Sequence, residues 1–484
     1  MMRSLFSGVS GLKNHQTRMD VIGNNISNVN TTGFKSSRVT FTDMLAQNLS
    51  GASSPNDNIG GTNPKQIGLG SAVGAVDLLF TNGSVQSTGV NTDLALSSSN
   101  ALFILDTGSG TAYTRNGDFQ FDADGNYVQA GNGYYVQGWM ANNGAIDTGA
   151  QVTNITIPSG KTMPPKASEM AKYTNNLNAE VPTITKISYT TNTGGTIATH
   201  DITTSDTSLP ERIVPTDTTG TYPTSATMTL SDGSTLTLTS GKYSTSHSMP
   251  IVTTLSVYDT LGSVHDLSVY FTLTNAASDT WEVALTNDGE TSKTWQEDDG
   301  SWTTVTMTPV PLQFTTSGAF DGGTGSPTLT LTNGSEPTQT IQLNFEGLTQ
   351  YSSSSTVAGK ADGNAAGVLS SISIDKTGTI TGTYTNGMKQ TEAQVALQRF
   401  TNPGGLNKIG ESLYEDSNNS GKSGEPSTAS ALGATITPSA LEMSNVDVAN
   451  EFTDMIITQR GFQSNSKIIT VSDEMLETIV NMKR

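Results

Sequence analysis

Each end of the chain carries a narrow apolar stripe at helical spacing, and this pairing of ends constrains the fold more than any other feature. Near the start, Leu5, Val9, Leu12, Met19, Ile22, Ile26 and Val29 are spaced by threes, fours and one seven, which predicts a helix with a single sticky line. Asn30, Thr31, Thr32 and Gly33 then supply the turn-forming and left-handed-tolerant residues that end helices. At the other end, Val448, Phe452, Met455, Phe462, Ile469, Leu476 and Val480 keep a seven-residue period. Ile468, Met475 and Ile479 widen that line, and Gln459, Ser466 and Asp473 interrupt it. Ser444 with Asp447, or Ser439 with Glu442, can cap its start, and Gly461 leaves room for a local bend. A helix of roughly 35 residues, ~50 Å long, follows. An arbitrary amphipathic helix usually packs on its own globular body. A heptad line with polar interruptions suits helix-on-helix contact instead, within the chain or between chains.

Everything between the helices must leave and return. Residues Gly117 to Trp139 read as strand, Asp124-Gly125 turn, strand, Asn132-Gly133 turn, strand, with Phe119, Phe121, Tyr127 and Tyr135 available for a core. A second meander runs through Ile372, Ile374, Thr377-Gly378, Ile380, Tyr384, Asn386-Gly387, Val395 and Leu397. From about Ala171 to Gly363 lies a Thr-rich region with strands such as Ile251 to Tyr258 and Val264 to Leu273. The expected fold is mainly β with α-helical termini, the paired terminal helices forming a coiled-coil domain and nested, discontinuous β domains lying between them. The boundaries read as 1–33 with 440–484 for the helical assembly domain, 34–73 for a long connector, 74–170 with 364–439 for an inner β domain, and 171–363 for an inserted outer β domain, single or double.

Composition excludes more than it identifies. With 43 acidic against 24 basic residues and a formal charge of −19, the chain repels phosphate backbones and anionic membranes, so nucleic acid and membrane insertion are not expected. The absence of cysteine removes disulfide frameworks, thiolate metal sites and thiol nucleophiles together. The first twenty residues lack the continuous apolar stretch of a secretory signal. A Cys-free, Ser/Thr-rich chain is at home on either side of a membrane.

Motifs for chemistry fail on inspection. Asp122, Asp124 and Asn126 imitate the opening of a calcium loop, but Tyr127 replaces its glycine and Gly133 stands where its bidentate Glu belongs. Gly421-Lys422-Ser423 imitates the end of a P-loop, but Asp416 occupies the position of the first glycine. Gly68, Gly70 and Gly74 miss the dinucleotide spacing by one residue. His15, His200, His247 and His265 are scattered singly, and His265 beside Asp266 lacks a nucleophile turn to serve. No cofactor, metal or catalytic residue is expected, and the chain reads as not an enzyme.

Residues 4–35 contain Asn24-Asn25-Ile26-Ser27-Asn28 followed by Asn30-Thr31-Thr32-Gly33-Phe34-Lys35. This segment resembles the amino-terminal signature of the bacterial flagellar rod, hook and hook-associated proteins. Ser444-Asn445-Val446-Asp447 and Gln459-Arg460-Gly461-Phe462-Gln463-Ser464-Asn465 resemble the matching carboxy-terminal signature. Thr81-Asn82-Gly83 and the Gly117-Asp118-Phe119 hairpin are similar to the first β domain of the family, and Val257 to Ser263 with His265-Asp266 to the outer β domain of its hook members. The resemblance is weakest from about Thr185 to Ser246. It implies a structural subunit exported unfolded through the flagellar type III apparatus, without a cleavable signal. Outside the cell the subunits would polymerise into a curved hollow tube that transmits torque as a universal joint. Implied partners are further copies of the chain, the rod, the hook cap and the hook–filament junction proteins. A distal rod subunit, a β-rich surface adhesin and a secreted enzyme are the competing readings.

Overall fold

The computed structural model describes the chain except residues 1, 56–59, 194–195, 204–222, 239–242, 276–278, 288–289, 299, 423 and 483–484. It divides into two compact units, one made of Met1–Lys161 with Leu369–Arg484 and the other of Thr162–Val368.

The discontinuous unit contains both helices, α1 (Met2–Ser27) and α2 (Val448–Met482). Gly33, at φ +67°, ends the turn after α1, and the backbone N–H of Phe34 donates to Thr31. The carboxylate of Asp447 accepts from the N–H groups of Ala449 and Asn450 at 2.9 and 3.3 Å, satisfying two donors that a helix start leaves orphaned. The alternative cap at Ser439 and Glu442 falls outside the helix, and Ala440–Glu442 is a strand. The helix runs unbroken through Gly461.

Residues 34–73, expected as a connector, instead form most of a long β-hairpin. Ser37–Asp43 pairs with Ser71–Leu78, and Ala46–Ser50 with Lys65–Gly68. Neither face of it carries a continuous buried row, and polar–apolar alternation is limited to short runs such as Val39 and Phe41 in the first strand, too short to mark the hairpin.

The β body of this unit is centred on Ala101–Asp106, which pairs with Thr111–Thr114, Tyr135–Asn142 and Leu397–Arg399. Its uninterrupted apolar sequence is buried on both faces: Phe103 and Leu105 pack with Phe119, Tyr127 and Val395, while Leu102 and Ile104 pack with Tyr113, Trp139 and Phe400. Both predicted meanders form, with Gly125, Gly133, Gly378 and Gly387 at positive φ in their turns. Tyr135, expected in the core, is exposed, because strand alternation gives the inward position to Val136. Short pairings of Val85–Ser87 with Ala440–Glu442 and of Leu94–Leu96 with Ile436–Pro438 join the two halves of the chain just ahead of α2.

The inserted unit, Thr162–Val368, is wider at both ends than the 171–363 read from the sequence. Thr162–Met163 already pairs with the residues that close the unit at Gly367 and Val368. A five-stranded sheet beginning at Ile251–Tyr258, a four-stranded sheet beginning at Ser292–Gln296, and a three-stranded sheet of Gln342–Tyr351, Met170–Asn178 and Ala358–Ala361 share a core around Trp281, Phe271, Tyr173 and Phe345. The Thr-rich stretch forms another four-stranded sheet with a small core of its own, Ile184, Ile187, Met228, Leu230 and Tyr243.

Candidate self-assembly site

α1 and α2 run antiparallel. Arg18 meets Asp454 at 3.1 Å, and Asn25 donates to Glu451 at 2.9 Å. Further along, a Cβ added at Gly8 would lie 3.3 Å from Ile469, one at Gly11 2.5 Å from Asn465, and one at Gly461 2.6 Å from the His15 ring. Gly461 therefore serves close approach of the helices. Thr458 and Ser472 are buried in α2 and hydrogen-bond to their own helix at 2.7 Å, so small residues line its inner side.

This places the polar interruptions one residue earlier than the sequence reading did: Thr458, Asn465 and Ser472 turn inward, while Gln459 and Asp473 are exposed and Ser466 is half-buried. Of the predicted stripe, Ile22 is fully buried. Leu5, Leu12, Met19, Ile26, Val29, Val448, Met455, Ile469 and Leu476 are half-buried. Val9, Phe452, Phe462 and Val480 are exposed, and so are Phe6, Ile456, Ile457, Ile468, Met475 and Ile479. So many large apolar side chains exposed on one helix pair mark it as a surface for other chains.

Beneath the helices the two chain ends are locked together by buried charge. Glu442 accepts from the Lys35 ammonium at 2.8 Å through one oxygen and from the Arg115 guanidinium at 2.7 and 2.9 Å through the other. Lys35 and Arg115 are fully buried. Lys35 also donates to the Thr81 carbonyl at 2.7 Å, and Arg115 to the carbonyls of Ala101, Leu96 and Ser98. Burial, followed by the neighbouring Arg115 charge, pushes the Lys35 ammonium below the ordinary lysine range despite the opposing pull of Glu442. Such a group is tolerated only because every member is bonded. Sequence reading missed the triad, since its members lie in three separate segments and nothing local marks them as partners.

Several of the signature residues tie the segments around this lock together. Asn25 is buried and exchanges two hydrogen bonds with the Ser37 backbone at 2.9 and 3.0 Å. Asn28 caps the turn by donating to the Asn24 carbonyl and accepting from the Thr31 hydroxyl, and Asn24 itself is exposed. Thr32 bonds Asn116 at 2.9 Å, and a Cβ at Gly33 would strike the Asn116 backbone at 2.5 Å. Phe34 is buried with the Lys408 ammonium 4.0 Å above its ring. Asn445 accepts from the Ser36 N–H and donates to the Leu79 carbonyl and the Thr81 hydroxyl. Asp447 is the cap described above. Gln459 and Arg460 are exposed on α2, and Arg460 bonds Gln463 at 3.1 Å.

In the inserted unit, His265 is oriented by Asp259 and Glu297 at 3.2 and 3.1 Å, whereas its neighbour Asp266 bonds Ser256 instead. Asp259 also accepts from Asn333 and from the backbone of Leu261 and Ser263. Burial works against its charge, but these hydrogen bonds outweigh it and hold the carboxyl below its ordinary range. With every partner internal, the group ties loops together. Asp122 is likewise occupied by the N–H groups of Asp124 and Asn126 in its own turn. Among the described residues no cluster of His, Asp and Glu has the arrangement of a metal site, and no helix is long and apolar enough to cross a membrane.

Over the full length of both chains, the sequence is 38% identical to the flagellar hook protein FlgE of Treponema pallidum (strain Nichols). The chain belongs to the flagellar hook protein family. A second hook-family relative, FlgE of Borreliella burgdorferi, is 36% identical, again with both chains fully covered. The flagellar basal-body rod protein FlgG of Bacillus subtilis (strain 168) is 29% identical, with 100% of each chain covered. Within the hook-family chain, residues 5–35 match the flagella basal body rod protein family, and 437–482 match the flagellar basal body rod FlgEFG protein C-terminal family. Residues 99–174 match the flagellar hook protein FlgE/F/G D1 domain, and 225–364 match the flagellar basal body protein FlaE D2 domain. The terminal matches contain Asn25, Phe34, Glu442 and Asn445, which form the lock and its surroundings.

Proposed function

We propose that this chain is a structural subunit of the bacterial flagellar hook, polymerising into a curved hollow tube that works as a universal joint. One observation carries the mechanism: the helix pair buries a seam of glycines and small polar residues with Ile22 against itself and leaves many of its large apolar side chains exposed. Exposed side chains such as Phe452, Ile456, Ile457 and Phe462 supply hydrophobic attraction for neighbouring copies, while the seam keeps each pair rigid. Contacts between unlike faces that do not close into a ring extend into a helical polymer. The β domains would then lie outside the helical wall, where hydrated, acidic surfaces slide during bending.

The family likeness supports export through the flagellar type III apparatus to the cell exterior, and contacts with the rod, the hook cap and the hook–filament junction proteins. A distal rod subunit is the second reading. Chain length does not separate the two, since the Bacillus rod relative aligns throughout; the higher identity to the two hook proteins favours the hook. Electron microscopy of the purified chain after concentration tests the choice. Curved tubes are expected; straight shafts would favour the rod reading, and persistent monomers under all conditions would overturn both.

A further inference from the structure

A groove of about 780 Å³ lies against the three-stranded sheet of the inserted unit, lined by Met170, Lys172, Thr174, Gln342 and Lys360 among others. The strand register sets Lys172 directly opposite Lys360, and both side chains are exposed. Like charges facing each other across a sheet destabilise it, so this pairing is not explained by folding. Local carboxylates do not relieve it. Asp362 is held by Lys166 at 2.9 Å and by the backbone N–H groups of Glu169 and Met170, and Glu346 accepts from the Asn344 amide at 3.3 Å. Glu169 and Asp362 also line the groove, yet among the described residues neither Lys172 nor Lys360 has an ion-pair partner. Beside the two ammonium groups, the half-exposed Met170 offers an apolar contact.

The surrounding chain is strongly acidic, at −19 overall. A polymer of such subunits repels itself unless cationic positions meet acidic ones across the contacts. We propose that the Lys172–Lys360 groove receives carboxylates from the surface of a second copy of this chain. The inference rests on the polymer reading and adds a specific contact to it. Electrostatic complementarity of this kind fixes the register of partners more than it adds raw affinity.

Carbodiimide, which joins amines to carboxylates without a spacer, tests the contact in tubes grown from mixed ordinary and 15N-labelled chains. Heavy–light peptide pairs joining Lys172 or Lys360 to an Asp or Glu are expected. The Lys172→Glu/Lys360→Glu variant should keep the tryptophan-monitored unfolding of the inserted unit and raise the critical concentration roughly tenfold at low salt, with a smaller effect at high salt. Lys172→Arg/Lys360→Arg should assemble normally. The proposal is overturned if tubes give no heavy–light links at either lysine, or if the folded double-Glu variant assembles at an unchanged concentration. Protection of both lysines from acetylation by inorganic phosphate but not by assembly would also overturn it, by assigning the groove to a free anion. Should the double-Glu variant not fold, the cross-links of the unaltered chain still decide. Tubes without the contact defeat this proposal alone, whereas no tubes from the unaltered chain defeats the polymer reading with it.

Discussion

Glu442 balances two buried cations, so its removal is felt twice. Glu442→Gln keeps the shape and leaves Lys35 and Arg115 with uncompensated charge, which should cost about 3–5 kcal/mol in denaturant unfolding of the discontinuous unit. A midpoint unchanged from the parent chain would show that the lock contributes little. Gly117 is equally constrained, because an added Cβ would overlap the Leu94 carbonyl, so Gly117→Ala should give little folded chain. Asp259 supplies a pH test with a definite sign. Its folded carboxyl titrates below the ordinary 3.8, so the folded state binds fewer protons than the unfolded one in that window. Its stabilisation is complete above the ordinary value and disappears as pH falls through the folded one. Unfolding of the inserted unit, followed by fluorescence of Trp281, Trp295 and Trp302, should show acid destabilisation that Asp259→Asn flattens, the variant being less stable near neutrality. Identical pH profiles for the two chains would refute this.

The two helices invite a test that separates folding from assembly. Ile457→Asp changes an outward side chain, so the unfolding free energy should move by no more than about 0.5 kcal/mol while tube formation fails in sedimentation assays. Gly11→Leu pushes into the seam at Asn465 and should cost about 1–3 kcal/mol in helix stability before assembly is attempted. Equal effects from both would deny that seam and outer face are distinct. Both helices were legible in the sequence because their apolar residues recur at helical spacing from Leu5 and from Val448. The seam was less legible, since hydrophobic periodicity does not register Thr458 and Ser472, which bury small polar side chains by bonding them to their own helix. In the hairpin of Ser37–Asp43 with Ser71–Leu78 the strands form without a buried row, so its sequence resembles that of a connector. The partnership of Lys35, Arg115 and Glu442 depends wholly on tertiary folding, so only the signature around Lys35 pointed toward it.

For the whole molecule, the relevant fact is that the insert begins and ends at paired residues: Thr162 faces Val368, and Met163 faces Gly367. Replacing residues 163–367 by a two-residue turn should leave the discontinuous unit folded and able to form tubes of altered curvature or stiffness. A soluble, folded deletion variant that never polymerises would assign the insert an obligatory part in assembly. The same pairing also sets an order of events for a chain that starts unfolded. Until the insert collapses, Lys161 and Leu369 are separated by a long floating loop, and bringing them together carries the entropy of closing it. Once the insert has folded, its ends stand side by side and the outer parts of the sequence behave as if joined by a tight turn. The central region is thus expected to close first as the clasp of the chain, and the unit built from its two ends to form after it.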